Sequence, residues 1–513
     1  MQFVHDSKYG QKAAQWGQRI CLRKREYPVI DKLVMAYVAV MLLFQIFFQI
    51  SPIVTFLATT PLYSAQTYLG LLGGGLIVLD LFTTKRIWQG KFSILLYAIL
   101  LLAALASLRM ISYGMKENLF KLCWAGIQFA LVYSCVYRTD RASIKKYVKI
   151  LFYVLLVIWL VACCISLYQY VNQIGYRYVV NPLAKDASSN RQGFYDNRLF
   201  GIFYTLNHAA YISLYFLLIT VVCIFREKNI WTRVCLILAA FVLLSYILLS
   251  GSRSTLLSLI VCAAVLAWFL VRNAIRKKGF VKVSLPVVVA LLTAVACLAV
   301  CFGLKQGLAR IPYLKSLNAY YQQVHEEHEQ DIKKPEFDEE LLVREGLDKE
   351  GVSNGRISIW KDYISLYKEV GVVGLSPGNY MPYILDNFPE LYIVDYIRAV
   401  YPDKYESGII YHVHSGYMMV YVSTGVLGLL CLLMFMLLCI VKTIRMIREN
   451  NRLSYFYIGA FLLVVAGAIS AALDEGLFFQ NMPHTTMFWF ALGIAMTGHL
   501  SAKGTSEDEP ASN

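Results

Sequence analysis

The sequence predicts an all-α polytopic membrane protein with about twelve transmembrane helices and one large extracytoplasmic loop containing short amphipathic helices. Hydrophobic residues make up 58% of the 513 residues and charged residues only 16%, with a mean hydropathy of +0.54. Such a composition is typical of membrane proteins. Apolar stretches long enough to cross a bilayer lie near 33–50, 65–83, 92–108, 118–137, 148–171, 205–225, 232–250, 254–271, 283–304, 416–440, 453–472 and 484–500.

The basic residues of the short loops predict the orientation, because cytoplasmic loops are enriched in Lys and Arg. The N-terminal tail contains Arg23, Lys24 and Arg25, and alternate loops carry similar clusters, whereas the loops at 51–64 and 473–483 contain no basic residue. Both termini are therefore expected in the cytoplasm. The net charge of +15 is attributed to these loops, and no nucleic-acid partner is expected.

This topology divides the chain into five parts. The predicted boundaries are a cytoplasmic tail at 1–32, transmembrane helices at 33–304, an extracytoplasmic loop at 305–411, transmembrane helices at 412–500 and a cytoplasmic tail at 501–513. In the loop, a helix starting at Arg356 is predicted to lie on the membrane surface. Its apolar face would be formed by Ile357, Trp360, Ile364, Tyr367 and Val370, with Ser353 or Asn354 as its N-cap.

Polar residues of several segments converge on the outer face if this topology is right. The segments are the start of the sixth span, the polar break between the seventh and eighth spans, the start of the loop helix, the entry to the tenth span and the last outer loop. The candidate site residues from these segments are Arg198, Asn207, Ser252, Arg253, Arg356, Trp360, His412, His414, Asp474 and Glu475.

These residue types suit an anion site with a base beside it. Guanidinium groups form planar, bidentate contacts with phosphate oxygens, and a histidine can accept a proton from a hydroxyl near neutral pH. A lipid diphosphate is the natural anion at this depth. The chain contains no Asp-x-Asp pair, so neither a metal nor another cofactor is expected. Each residue also has a structural explanation: Arg253 could reach the interface, Arg356 could be a surface charge, and His414 could be a satisfied helix-end histidine.

The order of these features resembles the O-antigen ligase and polymerase superfamily of bacterial envelope glycosyltransferases. The resemblance rests on four motifs in order. They are Arg198-x-x-Gly201 leading to Asn207, Gly251-Ser252-Arg253-Ser254, Arg356 and Trp360 leading to Gly374 and Gly378, and His414-Ser415 followed by Gly425-x-x-Gly428.

The resemblance implies transfer of a glycan from a polyprenyl diphosphate carrier to a hydroxyl acceptor on the outer face of the cytoplasmic membrane. Arg198 and Arg253 would hold the diphosphate, His414 would be the base or orient the acceptor, and Arg356 would bind donor or acceptor. The first hypothesis is a repeat-unit polymerase for capsule, exopolysaccharide or O-antigen, with lipid-linked glycans as donor and acceptor and a flippase and chain-length regulator as further partners. An O-antigen ligase, a protein O-oligosaccharyltransferase, a twelve-span transporter and a scaffold without chemistry are the alternatives.

Overall fold

The predicted all-α membrane fold is confirmed. The computed structural model describes residues 28–84, 87–180, 190–275, 280–327, 334–338, 341–342, 355–408, 410, 412–450 and 453–497. Within these ranges, ten helices are long and apolar enough to cross a membrane. Two shorter helices, Ser93–Arg109 and Pro483–Met496, occupy the remaining two predicted spans.

The helices are labelled here in chain order. Those of the first half are α1 Pro28–Phe47, α2 Ser51–Ala58, α3 Ala65–Thr83, α4 Ser93–Arg109, α5 Lys116–Gly126, α6 Ser134–Arg138, α7 Arg141–Val171, α8 Leu206–Arg226, α9 Ile230–Ser250 and α10 Arg253–Ala274. Those of the second half are α11 Phe280–Glu327, α12 Arg356–Ser365, α13 Tyr367–Val370, α14 Tyr380–Asn387, α15 Tyr392–Val400, α16 Pro402–Glu406, α17 Gly416–Glu449, α18 Tyr455–Leu473 and α19 Pro483–Met496. A π-helical stretch, Ile127–Tyr133, joins α5 to α6.

Local sequence signals explain where several spans begin and end. Asp140, Asn229 and Ser454 each accept a hydrogen bond from a backbone N–H in the first turn of the helix that follows. These side chains satisfy donors that a helix leaves unpaired at its start. Gly251 ends α9 in the left-handed region, with φ of 65°, where glycine has no Cβ penalty.

The segment between α7 and α8 forms a small β-sheet that the sequence did not predict. Strands β1 Gly175–Tyr178, β2 Asn190–Tyr195 and β3 Arg198–Gly201 form an antiparallel sheet in the order β1-β2-β3. The end of this segment pairs with the end of the first span, where the Ser51 N–H donates to the Ile202 carbonyl at 2.7 Å. The sheet therefore fixes Arg198 relative to the membrane helices. Short polar strands interrupted by turns carry too little apolar alternation to be recognised in the sequence.

The predicted loop 305–411 begins as a continuation of a helix. The helix that contains the predicted span 283–304 runs without interruption from Phe280 to Glu327. Its polar second half therefore has helical structure where the sequence boundary placed the start of the loop.

The loop helix packs on the protein through a side that differs from its predicted membrane-facing side, with Val370 belonging to both. The structure buries Ile359, Tyr363, Leu366 and Val370, whereas the side chains of the predicted face at Ile357, Ile364 and Tyr367 are exposed. The helix also breaks at Leu366, so no single helical face runs from 356 to 370. The predicted N-caps Ser353 and Asn354 lie outside the described residues, and Gly355 stands at the N-cap position.

The glycine-rich segment 371–379 anchors the outer loop to the membrane helices. The Leu375 N–H donates to the Val422 carbonyl at 2.8 Å, and the Val426 N–H donates to the Gly371 carbonyl at 3.2 Å. α17 is kinked at Gly425, which has φ of 70°. A Cβ on Gly425 would come within 2.2 Å of the Val372 carbonyl oxygen. The glycine-rich segment 371–379 and the glycine motif of α17 are therefore in close backbone contact.

Candidate active site

The carboxylate of Glu475 lies at the centre of the candidate site. Its side chain is 7% exposed, and its Oε2 lies 3.4 Å from His412 Nδ1. Its Oε1 accepts a hydrogen bond from the backbone N–H of His414 at 3.1 Å. One carboxylate from the last outer loop therefore fixes both histidines that precede α17.

Electrostatic effects keep Glu475 ionised. Burial raises the pKa of Glu475, but the nearby His412, His414 and Lys121 outweigh this effect and hold the pKa at about 2. The same carboxylate raises the pKa of His412 above its usual range, although burial and the charge of Lys121 act in the opposite direction. Because the His412 side chain is also 53% exposed, this charged pair opens onto a water-accessible space.

His414 differs from His412 in protonation. Burial lowers the pKa of His414, Glu475 and Asp474 act in the opposite direction, and His412 and Arg356 lower it further. The net direction is downward, so the imidazole of His414 is neutral near neutral pH and can accept a proton. Its backbone has φ of 49°, a left-handed conformation that non-glycine residues adopt rarely. The hydrogen bond to Glu475 holds the backbone in this conformation.

Arg198 and Arg253 lie at the same turn between α9 and α10. Arg198 Nε donates to the Ser250 carbonyl at 3.0 Å, and its side chain packs against Gly251, where a Cβ would lie 3.4 Å from Nε. Arg253 is the first residue of α10, directly after Ser252 at the N-cap. Two guanidinium groups and a helix N-terminus are thus concentrated at one turn, and helix N-termini favour anions.

Tyr211 of α8 lies between this turn and His484 of α19. Its hydroxyl donates to Ser254 Oγ at 2.6 Å, and its ring lies 6.0 Å from that of His484. The charges of Asp474 and Arg356 also act on Tyr211. The structure therefore brings the turn of Arg253, the start of α12 and the last outer loop around one tyrosine.

Two residues of the loop helix contribute to the site in different ways. Trp360 Nε1 donates to the Val413 carbonyl at 3.0 Å, so the indole holds α12 against the segment that carries the two histidines. Arg356 Nε is buried and has no hydrogen-bond partner among the described residues. A buried donor of a permanently charged group without a partner is costly, and an anionic ligand would satisfy it.

The remaining predicted residues are less directly joined to the histidines. Asn207 lies in the first turn of α8, next to His208, and Ser252 Oγ is bonded to Thr255 Oγ1 at 2.9 Å. Asp474 supports the backbone here, since its Oδ1 accepts from the Glu475 N–H at 2.8 Å and its carbonyl accepts from the Gly416 N–H at 2.9 Å. No contact in the described parts of the chain separates a binding role from a structural role for Asn207 and Ser252.

Sequence reasoning missed other members of this cluster. Lys121 of α5 acts electrostatically on Glu475 and His412, although it lies far away in sequence in a predicted span. His208 and His484 have ring centroids 5.1 Å apart, and the Nδ1 atom of each is buried without a hydrogen-bond partner among the described residues. A single polar residue at a span boundary gives no indication of its partner, so only the packing of α5, α8 and α19 reveals these residues.

The expectation of a metal-free site stays a prediction. Within the described ranges, no group of three or more His, Cys, Asp and Glu side chains is placed to hold a metal ion. The polar side chains gathered here instead include three arginines and a lysine, which suit an anionic group.

Comparison with known proteins identifies part of the chain. Residues 238–433 match the family model Wzy_C, described as O-antigen ligase. This range, from within α9 to within α17, is similar to the O-antigen ligase family, and the resemblance carried by the motifs inside it is confirmed. Searches of curated proteins and of solved structures found no match.

The matched range contains most of the candidate site. Arg253, Arg356, Trp360, His412 and His414 lie within it. The other main candidates, Arg198, Asn207 and Glu475, come from segments on either side, and Arg198 and Glu475 join the site through the contacts described above. The family supports a membrane protein with ligase-type or polymerase-type glycosyltransferase function in polysaccharide biosynthesis.

Proposed function

We propose that the protein is a polymerase of lipid-linked polysaccharide repeat units. It transfers a glycan from a polyprenyl diphosphate donor to a sugar hydroxyl of a lipid-linked acceptor on the outer face of the cytoplasmic membrane. Both termini then lie in the cytoplasm, and the segment that follows α11 lies outside. A flippase that supplies the repeat units and a regulator of chain length are the expected partners.

The proposed reaction is a single displacement. The acceptor hydroxyl gives its proton to the imidazole of His414, and its oxygen forms a bond to the anomeric carbon of the donor. The bond between that carbon and the diphosphate oxygen breaks, and its electron pair leaves with the diphosphate. Arg198 and Arg253 at the α9–α10 turn stabilise the charge that develops on this leaving group. The proton remains on His414 until solvent removes it.

The observation that carries the proposal is the contrast between His414 and its surroundings. Its pKa is lowered, so it is neutral, and the buried Arg356 Nε nearby lacks a partner among the described residues. Glu475 instead raises the pKa of the second histidine, His412, and so favours its cationic form. A neutral base beside a buried cation suits a hydroxyl acceptor and an anionic donor, whereas a scaffold gains nothing from either group.

A ligase is the alternative within the same class of glycosyltransferase, and a transporter is the alternative outside it. A ligase would use the same donor with a lipid A core or a protein hydroxyl as acceptor, and the family description fits this reaction as well. A transporter needs a path between two faces, but the polar cluster described here gathers at one end of α8, α18 and α19. The proposal therefore favours transfer chemistry over transport.

The test uses purified full-length protein in lipid nanodiscs. With lipid-diphosphate repeat units as the only substrate, a polymerase forms a ladder of glycans of increasing length on the lipid carrier. A ligase leaves single repeats unchanged until a core lipid or acceptor protein is added. If neither mixture gives transfer in any bilayer in which the protein is folded, while vesicles containing the protein move a solute, the proposal is wrong.

A further inference from the structure

A cavity runs along the helices that carry the candidate active site, toward the ends of these helices that lie away from the histidines. It has a volume of about 580 Å³ and is lined mainly by α7, α8, α18 and α19. This volume is within the range of about 300–1,000 Å³ usual for binding pockets. Its wall is mainly apolar and includes Phe152, Phe216, Phe456, Met487 and Phe490.

The positions of the lining residues along their helices place the basic end of the cavity far from the histidines. α8 begins beside His208 and ends at Arg226, which lines the cavity. α18 begins at Tyr455, another lining residue, and ends just before Asp474. A helix rises 1.5 Å per residue, so Arg226 lies roughly 27 Å from His208 along α8, whereas the wall of the cavity reaches Phe216, roughly 12 Å from His208.

The mouth of the cavity is strongly basic. Lys145, Lys146, Lys149 and Arg226 line it, with Glu227 as the acidic residue among the lining side chains. Basic residues on this side are expected from the predicted orientation alone. Their concentration around the opening of an apolar cavity requires a further explanation.

We propose that this cavity binds an anionic glycerophospholipid. One acyl chain would occupy the apolar interior, and the headgroup phosphate would contact Lys146 and Lys149 at the mouth. Basic pockets between transmembrane helices at the cytoplasmic surface have the chemistry to bind such headgroups. The lipid would fill the space between α7, α8 and the α18–α19 pair, which carry His208, Asp474 and His484 at their other ends. The proposal does not depend on the reaction assigned to the active site.

The first experiment measures bound lipid by native mass spectrometry of the full-length protein. The protein is released from nanodiscs made of phosphatidylglycerol and phosphatidylcholine in equal amounts. Wild type is expected to retain one phosphatidylglycerol. The variant Lys146→Gln/Lys149→Gln should lower its occupancy by roughly tenfold or more, because each lysine near a membrane surface strengthens the binding of anionic lipid. The matched control is Arg445→Gln/Arg448→Gln, which removes two exposed charges from the same predicted side outside the cavity wall.

A second variant tests the interior of the cavity. Gly459 lines it, and a Cβ there would meet Val222 at 3.7 Å, an ordinary contact. Gly459→Ala should therefore retain the lipid, whereas Gly459→Leu should displace it by filling the space. The proposal is wrong if the lysine variant retains as much phosphatidylglycerol as the arginine control, if phosphatidylcholine is retained equally well, or if the retained species is a polyprenyl phosphate.

Discussion

His412 and Glu475 form an ion pair in which Nδ1 lies 3.4 Å from Oε2, while the backbone N–H of His414 donates to Oε1 of the same carboxylate. Glu475 raises the pKa of His412, whereas burial lowers the pKa of His414. The two histidines, which are separated by one residue, therefore differ in protonation. In the proposed reaction, His412 is a positioning residue that acts through Glu475, and His414 is the base.

Replacing each histidine by glutamine should separate these tasks. His414→Gln removes the base and should lower glycan transfer by about 10²- to 10⁴-fold, with unchanged protein level and donor binding. Glutamine at 412 can still donate a hydrogen bond to Glu475, so His412→Gln should keep substantial activity. The measurement is turnover of purified protein on lipid-diphosphate repeat units, with and without a chelator. If His414→Gln stays within a few-fold of wild type, the base is another residue; inhibition by chelator would contradict the metal-free reaction.

The ion pair should also make stability depend on pH with a defined sign. The pKa of His412 is raised on folding, so its contribution is present below its ordinary pKa of about 6.5 and is lost as pH rises through the raised value. The pKa of Glu475 is depressed from 4.5 to about 2. Its contribution is therefore present above about pH 4.5 and is lost as pH falls toward 2. The stabilisation by the pair should be greatest between about pH 4.5 and 6.5.

Thermal unfolding of the purified protein checks this window. The difference in unfolding midpoint between wild type and His412→Gln should be largest near pH 6 and should shrink on moving to pH 9. Lys145→Gln, at the opposite end of the molecule, serves as the control and should show no such trend. A His412→Gln difference that stays constant from pH 6 to pH 9 would contradict the ion pair.

More of the fold than of the site could be predicted from the sequence. Each apolar stretch became a helix because the hydrocarbon core allows only structures that satisfy their own backbone hydrogen bonds. The sheet around Arg198 and the buried face of α12 were not predicted, since both depend on packing against other segments. Ile359 and Tyr363 are buried because α12 rests on neighbouring protein, and helical spacing alone gave a different apolar face.

The residues of the site likewise divide into those that the sequence indicates and those that only the packing reveals. Arg253, Arg356 and His414 could be selected because charged or titratable residues at span boundaries need a reason. Lys121 and Tyr211 could not, because a lysine or tyrosine in a helix gives no indication of which distant loop it meets. Glu475 was selected as one of two acidic residues in a loop, and only the structure shows that its carboxylate joins both histidines.

The contact between Gly425 and Val372 should be needed for attachment of the outer loop. Gly425→Ala places a Cβ within 2.2 Å of a carbonyl oxygen and requires a left-handed backbone that costs a non-glycine residue about 1–3 kcal/mol. The variant should unfold several degrees below wild type and lose activity. Gly307→Ala is the control, because a Cβ there meets nothing within 4 Å; it should be neutral or slightly stabilising. Equal midpoints for Gly425→Ala and wild type would rule out the contact.

The proposed orientation predicts which side of the membrane the segment around Glu390 faces. A single cysteine at position 390 in a cysteine-depleted variant should react with an impermeant maleimide in intact cells. A cysteine at position 228, in the basic loop between α8 and α9, should react only after permeabilisation. The reverse pattern would place the three arginines in the cytoplasm, where the proposed acceptor and donor are not presented.

Arg253 distinguishes a bidentate diphosphate contact from a cation that merely reaches the membrane interface. A lysine retains the charge but lacks the planar pair of donors that a guanidinium offers to phosphate oxygens. Arg253→Lys should therefore insert and fold like wild type but transfer glycan about 10²-fold more slowly or worse, the usual cost of removing a donor that stabilises developing charge. Arg233→Lys, near the start of α9 at the opposite end of that helix, is the matched control and should keep full activity.

The measurement is the rate of diphosphate release from donor at saturating acceptor, together with donor affinity. Near wild-type turnover for Arg253→Lys would mean that the positive charge alone is sufficient, and the diphosphate contact would then have to be assigned to Arg198 or Arg356.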